Sequence, residues 1–255
     1  MAVLGTAFTA HPVGAVRPFV TDDARIVDKG QVGVETFGQL ATSEGEKPGF
    51  SLRSLQGIGL TDRVELTVGV LGFEYRDRRA VAENLIVQPK VILHRSFGAL
   101  PSASVSAGTI IPISGNRQRW NNYAMAEASW YLFANPDGLD PYDCWLSIYL
   151  NGGAKGRYDA GLGGRQTSKP FWAVGFEVGT LVRQLRFLAE TFNGDPFEFA
   201  EEFPAFQTGF RWYKNQDVQV DLAWKGVNAG HTGDPNDHWD YSLQLGLRIV
   251  FDAFR

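Results

Sequence analysis

"TDRVELTVGVLGF", residues 61–73, opens with a turn and then alternates. Val64, Leu66, Val68 and Val70 fall on one face, and Glu65, Thr67 and Gly69 fall on the other. A half-buried strand of a soluble protein reads this way, with its apolar face on a core. A membrane-spanning strand of a β-barrel reads the same way, with that face on lipid. The choice between lipid and core decides the fold.

The pattern recurs along the 255 residues. Alternating runs stand at about 30–40, 50–60, 64–76, 84–95, 102–112, 123–133, 143–152, 170–179, 184–193, 204–214, 218–227 and 240–251, separated by Gly, Asn, Asp and Pro. Each is close to the ~9–11 residues a tilted strand needs to cross a bilayer. Helical spacing is nearly absent, so no crossover connections are available and neighbours should pair antiparallel. No run of apolar residues is long enough for a transmembrane helix, which leaves a transmembrane barrel open. With 24 basic and 28 acidic residues the net charge is −4, which gives no bulk-charge case for nucleic acid. One cysteine, Cys144, excludes an internal disulfide and a CxxC metal site.

The connectors alternate in character. "TDR" (61–63), "SFGALP" (96–101), "TLVR" (180–183), "NQD" (215–217) and the turn-forming "NPDGLDPY" (135–142) sit at one end. "ATSEGEKPG", "DRRAVAE", "SGNRQRWNN", "GGAKGRYDAGLGGRQTSK", "NGDPFEFAEEF" and "NAGHTGDPNDHW" are longer and more polar. Short turns at one end and long loops at the other are the asymmetry of outer-membrane barrels. An even strand count puts both termini on the short-turn side.

Three features favour lipid over a core. One face of many strands is almost wholly apolar, as in Leu243, Leu245, Leu247, Ile249 and Phe251. The other carries mid-strand charges: Glu35, Arg53, Glu65, Lys90, Glu127, Glu177, Arg186, Glu190, Arg211, Asp221, Lys225 and Arg248, with signs that largely alternate from strand to strand. Aromatics collect at strand ends as two belts. Trp120, Tyr123, Trp172, Phe192, Trp224, Trp239 and Tyr241 fall near the long loops; Tyr131, Phe133, Tyr142, Trp145, Trp212, Tyr213 and Phe251 fall near the short turns. The reading is an all-β protein: a closed antiparallel transmembrane β-barrel of about twelve strands, with short periplasmic turns and longer extracellular loops. Residues 1–23 read as a leader or signal remnant with a periplasmic N-terminal segment, and 24–255 as one barrel domain. Cys144 is expected on the outward face, and Glu65 inward between Arg53 and Lys90.

The last strand, "QLGLRIVF", resembles the C-terminal assembly signal of Gram-negative outer-membrane barrels through Gln244, Gly246, Ile249 and Phe251, although "DAFR" follows it. "RPFVTDDARIVDKGQVGVE", "LRSLQGIGLTDRVELTVGV" and "SASVSAGTIIPISG" resemble the outer-membrane family known as meta-pathway phenol-degradation transporters. That resemblance implies a bacterial outer-membrane barrel that passes small, hydrophobic or aromatic compounds. Its partners would be the lipid bilayer, the barrel-assembly machinery during biogenesis and small-molecule solutes. Oligomeric state stays open.

Other chemistry weighs less. His94 and Ser96 share a strand face, where an imidazole could activate a hydroxyl, but they fall at the short-turn end and lack surrounding hydrolase motifs. His231, His238, Asp234, Asp237 and Asp240 form an acidic loop with cation-ligand types, which reads more simply as a solvated loop. No enzyme activity, metal site or cofactor is expected. The lumen charges read equally as a selective path or as an ion-pair plug, so a channel stands beside a structural or partner-binding barrel with a plugged lumen.

Overall fold

Twelve strands close on themselves, each hydrogen-bonded to its sequence neighbours and β1 to β12. The computed structural model describes residues 19–42, 49–76, 79–96, 100–113, 119–134, 144–159, 165–197, 205–228 and 239–254. The strands are β1 (Gln31–Thr42), β2 (Gly49–Thr61), β3 (Val64–Arg76), β4 (Arg79–His94), β5 (Ser102–Pro112), β6 (Arg119–Ala134), β7 (Cys144–Asp159), β8 (Arg165–Gly179), β9 (Leu185–Asn193), β10 (Ala205–Tyr213), β11 (Val218–Asn228) and β12 (Trp239–Asp252). Every ladder is antiparallel, and β1 meets β12 over Gln31↔Asp252 to Thr42↔Tyr241.

Short turns set the register. In the β2–β3 turn Thr61 Oγ1 accepts from Arg63 N at 3.2 Å, and Asn215 Oδ1 accepts from Asp217 N and Val218 N before β11. These side-chain bonds satisfy turn amides that the ladder cannot. Gly72, at φ 80, lies where the β2–β3 register shifts between Leu52 and Ser54. A positive φ at the extra residue of a bulge suits glycine.

Alternation decides the faces. Leu243, Leu245, Leu247, Ile249 and Phe251 of β12 are exposed, while Ser242, Gln244, Arg248 and Val250 between them are buried. A barrel with a greasy exterior and polar interior is matched to lipid outside.

Four strands run further than alternation indicates. β4 begins at Arg79, β6 at Arg119, β7 continues to Asp159 and β8 begins at Arg165, so parts of the connectors at 77–83, 114–122 and 152–169 are ladder. Beyond the lipid both faces of a hairpin meet water, and its residues need not alternate. Cys144 is a second correction. It is buried with Tyr131 and Tyr149 rather than outward, its Sγ donating to Leu146 O at 3.0 Å. At the first residue of a strand the pleat is not yet enforced on both sides. The belts are a third: Tyr123, Phe192, Tyr131 and Tyr213 are buried inside the barrel, whereas Trp120, Trp172, Trp224, Tyr241, Trp145, Trp212 and Phe251 are exposed. The inward four share the pleat parity of Glu127, Glu190 and Arg211, and parity outranks proximity to a rim. The side chains of Phe133 and Tyr142 lie outside the described residues.

Candidate functional site: the barrel lumen

The twelve charged residues singled out from the sequence all lie at inward positions. In the short-turn half four of them, Glu177, Arg186, Arg211 and Asp221, form a connected network. Glu177 accepts from Arg186 Nε and Arg211 Nη1, each at 3.1 Å, and from the hydroxyls of Tyr149 and Tyr213 at 3.2 and 3.3 Å. Arg211 also grips Asp221 through Nε at 2.9 Å and Nη2 at 3.2 Å. Two-pronged guanidinium–carboxylate contacts of this kind are geometrically specific. Arg248 faces Glu35 across the β1–β12 seam at 3.3 Å, and Glu127 accepts from Ser104 and Ser106 at 2.5 and 2.6 Å. Arg53 stacks over Phe37 at 5.6 Å and Lys225 over Phe192 at 5.3 Å.

Glu65 pairs across the ladder with Lys90, but its partner on β2 is Gly59, and Arg53 lies six residues further along that strand. The expected Arg53–Glu65–Lys90 row is therefore not formed. The tight 61–63 turn fixes this register. Glu65 turns instead to the N-terminal segment, as does Lys90.

That segment is the central feature of the site. Residues 19–28, expected in part as periplasmic, enter at the short-turn rim and lie inside the lumen. Phe19, Val20, Asp23, Ala24, Ile26 and Val27 are all buried. The entry is close: Gly30 N donates to Gly59 O at 3.0 Å, and a Cβ on Gly59 would stand 1.9 Å from Asp28 O. Only glycine allows so near an approach.

A buried segment outside any ladder must find other partners for its amides. The barrel wall supplies them. Glu190 accepts from Val20 N at 2.7 Å, Thr21 N at 2.8 Å and Thr21 Oγ1 at 2.7 Å. Asn151 exchanges a pair of bonds with Asp22, taking its N–H at 2.6 Å and donating to its carbonyl at 2.9 Å. Ser129 Oγ accepts from Ala24 N at 2.9 Å, and Glu65 from Val27 N at 2.6 Å. Lys90 forms an ion pair with Asp22 at 3.0 Å and donates to Asp23 O, while Asp23 takes Arg25 and the Tyr131 hydroxyl. The Thr-Asp-Asp stretch is thus held by β4, β6, β7 and β9 at once, and β3 holds Val27 beside it. Beside it a cavity of about 50 Å³ remains, lined in part by Arg25, Glu35, Lys90 and Arg248. One water needs ~10–15 Å³ and benzene fills a cavity of ~150 Å³, so this gap holds a few waters and no aromatic ring.

The long-loop half of the lumen is chemically different. Leu55, Leu71, Ile86, Ile110, Tyr123, Met125 and Phe171, from β2 to β6 and β8, form one buried apolar cluster, with Phe197 packed against it. Phe197 comes from the connector after β9, which turns inward at Gly194 (φ 81). Lys155 Nζ donates to Asp195 O at 3.1 Å and Asp195 Oδ1 accepts from Phe197 N at 2.8 Å, which holds that turn in place. Tyr123 and Phe197 rings stand 5.7 Å apart, and the Tyr123 hydroxyl donates to Gln88.

The remaining candidates have simpler places. His94 ends β4, exposed, and the Ser96 backbone is tied to Ser102 Oγ, which accepts from Ser96 N at 3.0 Å and donates to Ser96 O at 2.8 Å. His231, His238, Asp234 and Asp237 lie outside the described residues, and Asp240 is in β12. In the terminal strand Ile249 and Phe251 are exposed on the outer wall, and Gln244 is buried, accepting from Gln207 Nε2 at 3.2 Å. Gly246 pairs with Phe37 and Asp221.

Sequence reasoning missed the lumenal segment, its anchors Asn151 and Ser129, and the apolar cluster. The signal for the segment was available in "FVTDDARIV", where apolar pairs flank a charged centre in a stretch too short to be a strand of the wall.

No family model and no curated protein sequence matches the chain. Among solved structures, the NanC porin superposes with a TM-score of 0.50 at 11% identity, covering 87% of this chain and 99% of that one. An outer membrane channel from Pseudomonas putida F1 superposes with a TM-score of 0.54 at 14% identity, covering 89% of this chain and 97% of the other. The chain has the fold of bacterial outer-membrane channel barrels.

Proposed function

We propose that this protein is a passive outer-membrane channel for small apolar or aromatic molecules, held closed in the present conformation by residues 19–28. The observation that carries the reading is the apolar cluster of Leu55, Leu71, Ile86, Ile110, Tyr123, Met125 and Phe171 inside the long-loop half of the lumen. Inward positions of a water-filled barrel are polar. An apolar wall with few polar groups is instead the lining of a small-ligand site. The sequence resemblance to meta-pathway phenol-degradation transporters points to the same solute class. Transport of this kind makes and breaks no bond. A second reading, a closed structural or partner-binding barrel, is favoured by the completeness with which Glu190, Asn151, Ser129, Glu65 and Lys90 bind the segment.

Uptake of N-phenylnaphthylamine by cells carrying the barrel in their outer membrane separates the two. The channel reading predicts faster uptake with a 19–28 deletion than with an empty control, and no comparable gain for a sulfonated dye of similar size. Equal gains for both dyes would remove the apolar selectivity. No gain for either would favour the closed barrel.

A further inference from the structure

Among the described residues, the outer wall has one place where its chemistry does not suit lipid. Thr36, Ser54 and Gln56 face outward on β1 and β2, on the pleat side opposite buried Phe37 and Leu55. They are linked to one another: Gln56 Nε2 donates to Ser54 Oγ at 2.9 Å, and Thr36 Oγ1 lies 3.3 Å from that oxygen. Among the described residues, Gln56 is the one amide or charged side chain at an outward position in the middle third of any strand. Other outward hydroxyls, Thr191 and Thr208, donate to strand carbonyls at 3.0 Å and leave nothing unmet. The Gln56 carbonyl oxygen has no partner among the described residues.

Height makes this matter. Gln56 stands five residues before the end of β2 at Thr61. At ~3.3 Å per residue and a tilt of about 40° it lies roughly 13 Å from the short-turn rim, near the middle of an apolar band ~25 Å tall. A glutamine side chain there reaches neither interface. A lipid tail offers it no donor or acceptor, so the amide wants a polar partner within the membrane.

We propose that this face is the contact between two copies of the barrel, related by a two-fold axis beside Gln56. A primary amide carries both a donor and an acceptor, so it is complementary to itself, and two copies facing each other can exchange two hydrogen bonds as a symmetric interface requires. The surroundings allow close approach. Val34, Gly38, Val68 and Val70 flank the trio with short side chains, and Gly38 opens one end of an apolar groove of about 480 Å³ bounded by Leu40, Phe50, Leu52 and Leu243. Apolar side chains of the second copy fill that groove. An acyl chain would fill it too, but would leave the amide unpaired. The inference is independent of the transport reading, since the trio lies on the wall opposite the lumen.

The test uses the full chain with Cys144→Ala. With Gln56→Cys, copper-phenanthroline oxidation in native outer membranes should give a disulfide-linked dimer, and Val174→Cys on β8, across the barrel, should not. Gln56→Leu should raise the dimer dissociation constant in micelles roughly tenfold by sedimentation equilibrium, with heat-modifiable gel migration unchanged. Monomer only from Gln56→Cys, a cross-link to a different protein, equal cross-linking at Val174→Cys, or an unchanged dissociation constant in folded Gln56→Leu would each overturn the proposal.

Discussion

Replacing Glu190 by alanine probes the hold of the wall on the lumenal segment. One carboxylate on β9 takes three bonds from Val20 and Thr21, at 2.7, 2.8 and 2.7 Å. Hydrogen bonds to a charged group contribute ~1.5–3 kcal/mol each, and bonds sharing one acceptor group are not additive. Water reaching the freed amides recovers part of the loss. A net weakening of about 3 kcal/mol of docking at this end is therefore expected, and at ~1.4 kcal/mol per factor of ten that is roughly a hundredfold more opening. Asn151, Ser129, Glu65 and Lys90 still hold the rest, so the barrel stays folded. Amide hydrogen exchange at Val20 and Thr21 reads the opening directly. It should accelerate about a hundredfold in Glu190→Ala and less in Glu190→Gln, whose amide oxygen still accepts. Unchanged exchange in a folded Glu190→Ala barrel would refute the reasoning.

Three further outcomes follow from the same geometry. Gly59→Ala sets a Cβ against Asp28 O, so the segment must shift at the rim; Ile26 and Val27 should exchange faster, with the heat-modifiable band retained. Glu65→Gln removes a fixed negative charge from the lumen and should shift the ion selectivity of the open channel toward anions, measured as reversal potential in a salt gradient; an unchanged potential would make Glu65 an anchor for Val27 alone. Phe197→Ala removes the ring packed on the apolar cluster and should raise N-phenylnaphthylamine uptake in the 19–28 deletion background by a few fold, whereas a fall would show that the ring binds solute rather than obstructing it.

The strand set was legible because lipid imposes a period of two wherever it touches the wall, as in Leu243 to Phe251. It was less legible where lipid ends. Gly152–Asp159 pairs with Arg165–Trp172 as a ladder, yet "GGAKGRYD" carries no apolar alternation to mark it as strand. Inward charges were legible too, since Glu65 or Arg211 has no place on lipid. Their partners were not, because Arg53 and Glu65 are brought near or kept apart by turn register rather than composition. Alternation also assigns the inner face only by contrast with the outer one. Ile86 beside Leu85 and Val87 in β4, or Ile110 beside Ile111 in β5, makes a strand apolar on both faces, and that doubling was the one sign of the apolar lumen. Nothing local in "NGDPF" announces that Phe197 turns inward; that contact depends on Lys155 from another strand.

The central claim is that a conducting path runs through this lumen and that residues 19–28 close it. Single-channel recording in planar bilayers, comparing the full chain with the 19–28 deletion, tests it most directly. The account predicts a full-length protein that is silent or opens briefly, in keeping with a gap of about 50 Å³, and a deletion that holds a stable, larger conductance. A correctly folded deletion barrel that carries no current, or one indistinguishable from the full chain, would contradict it.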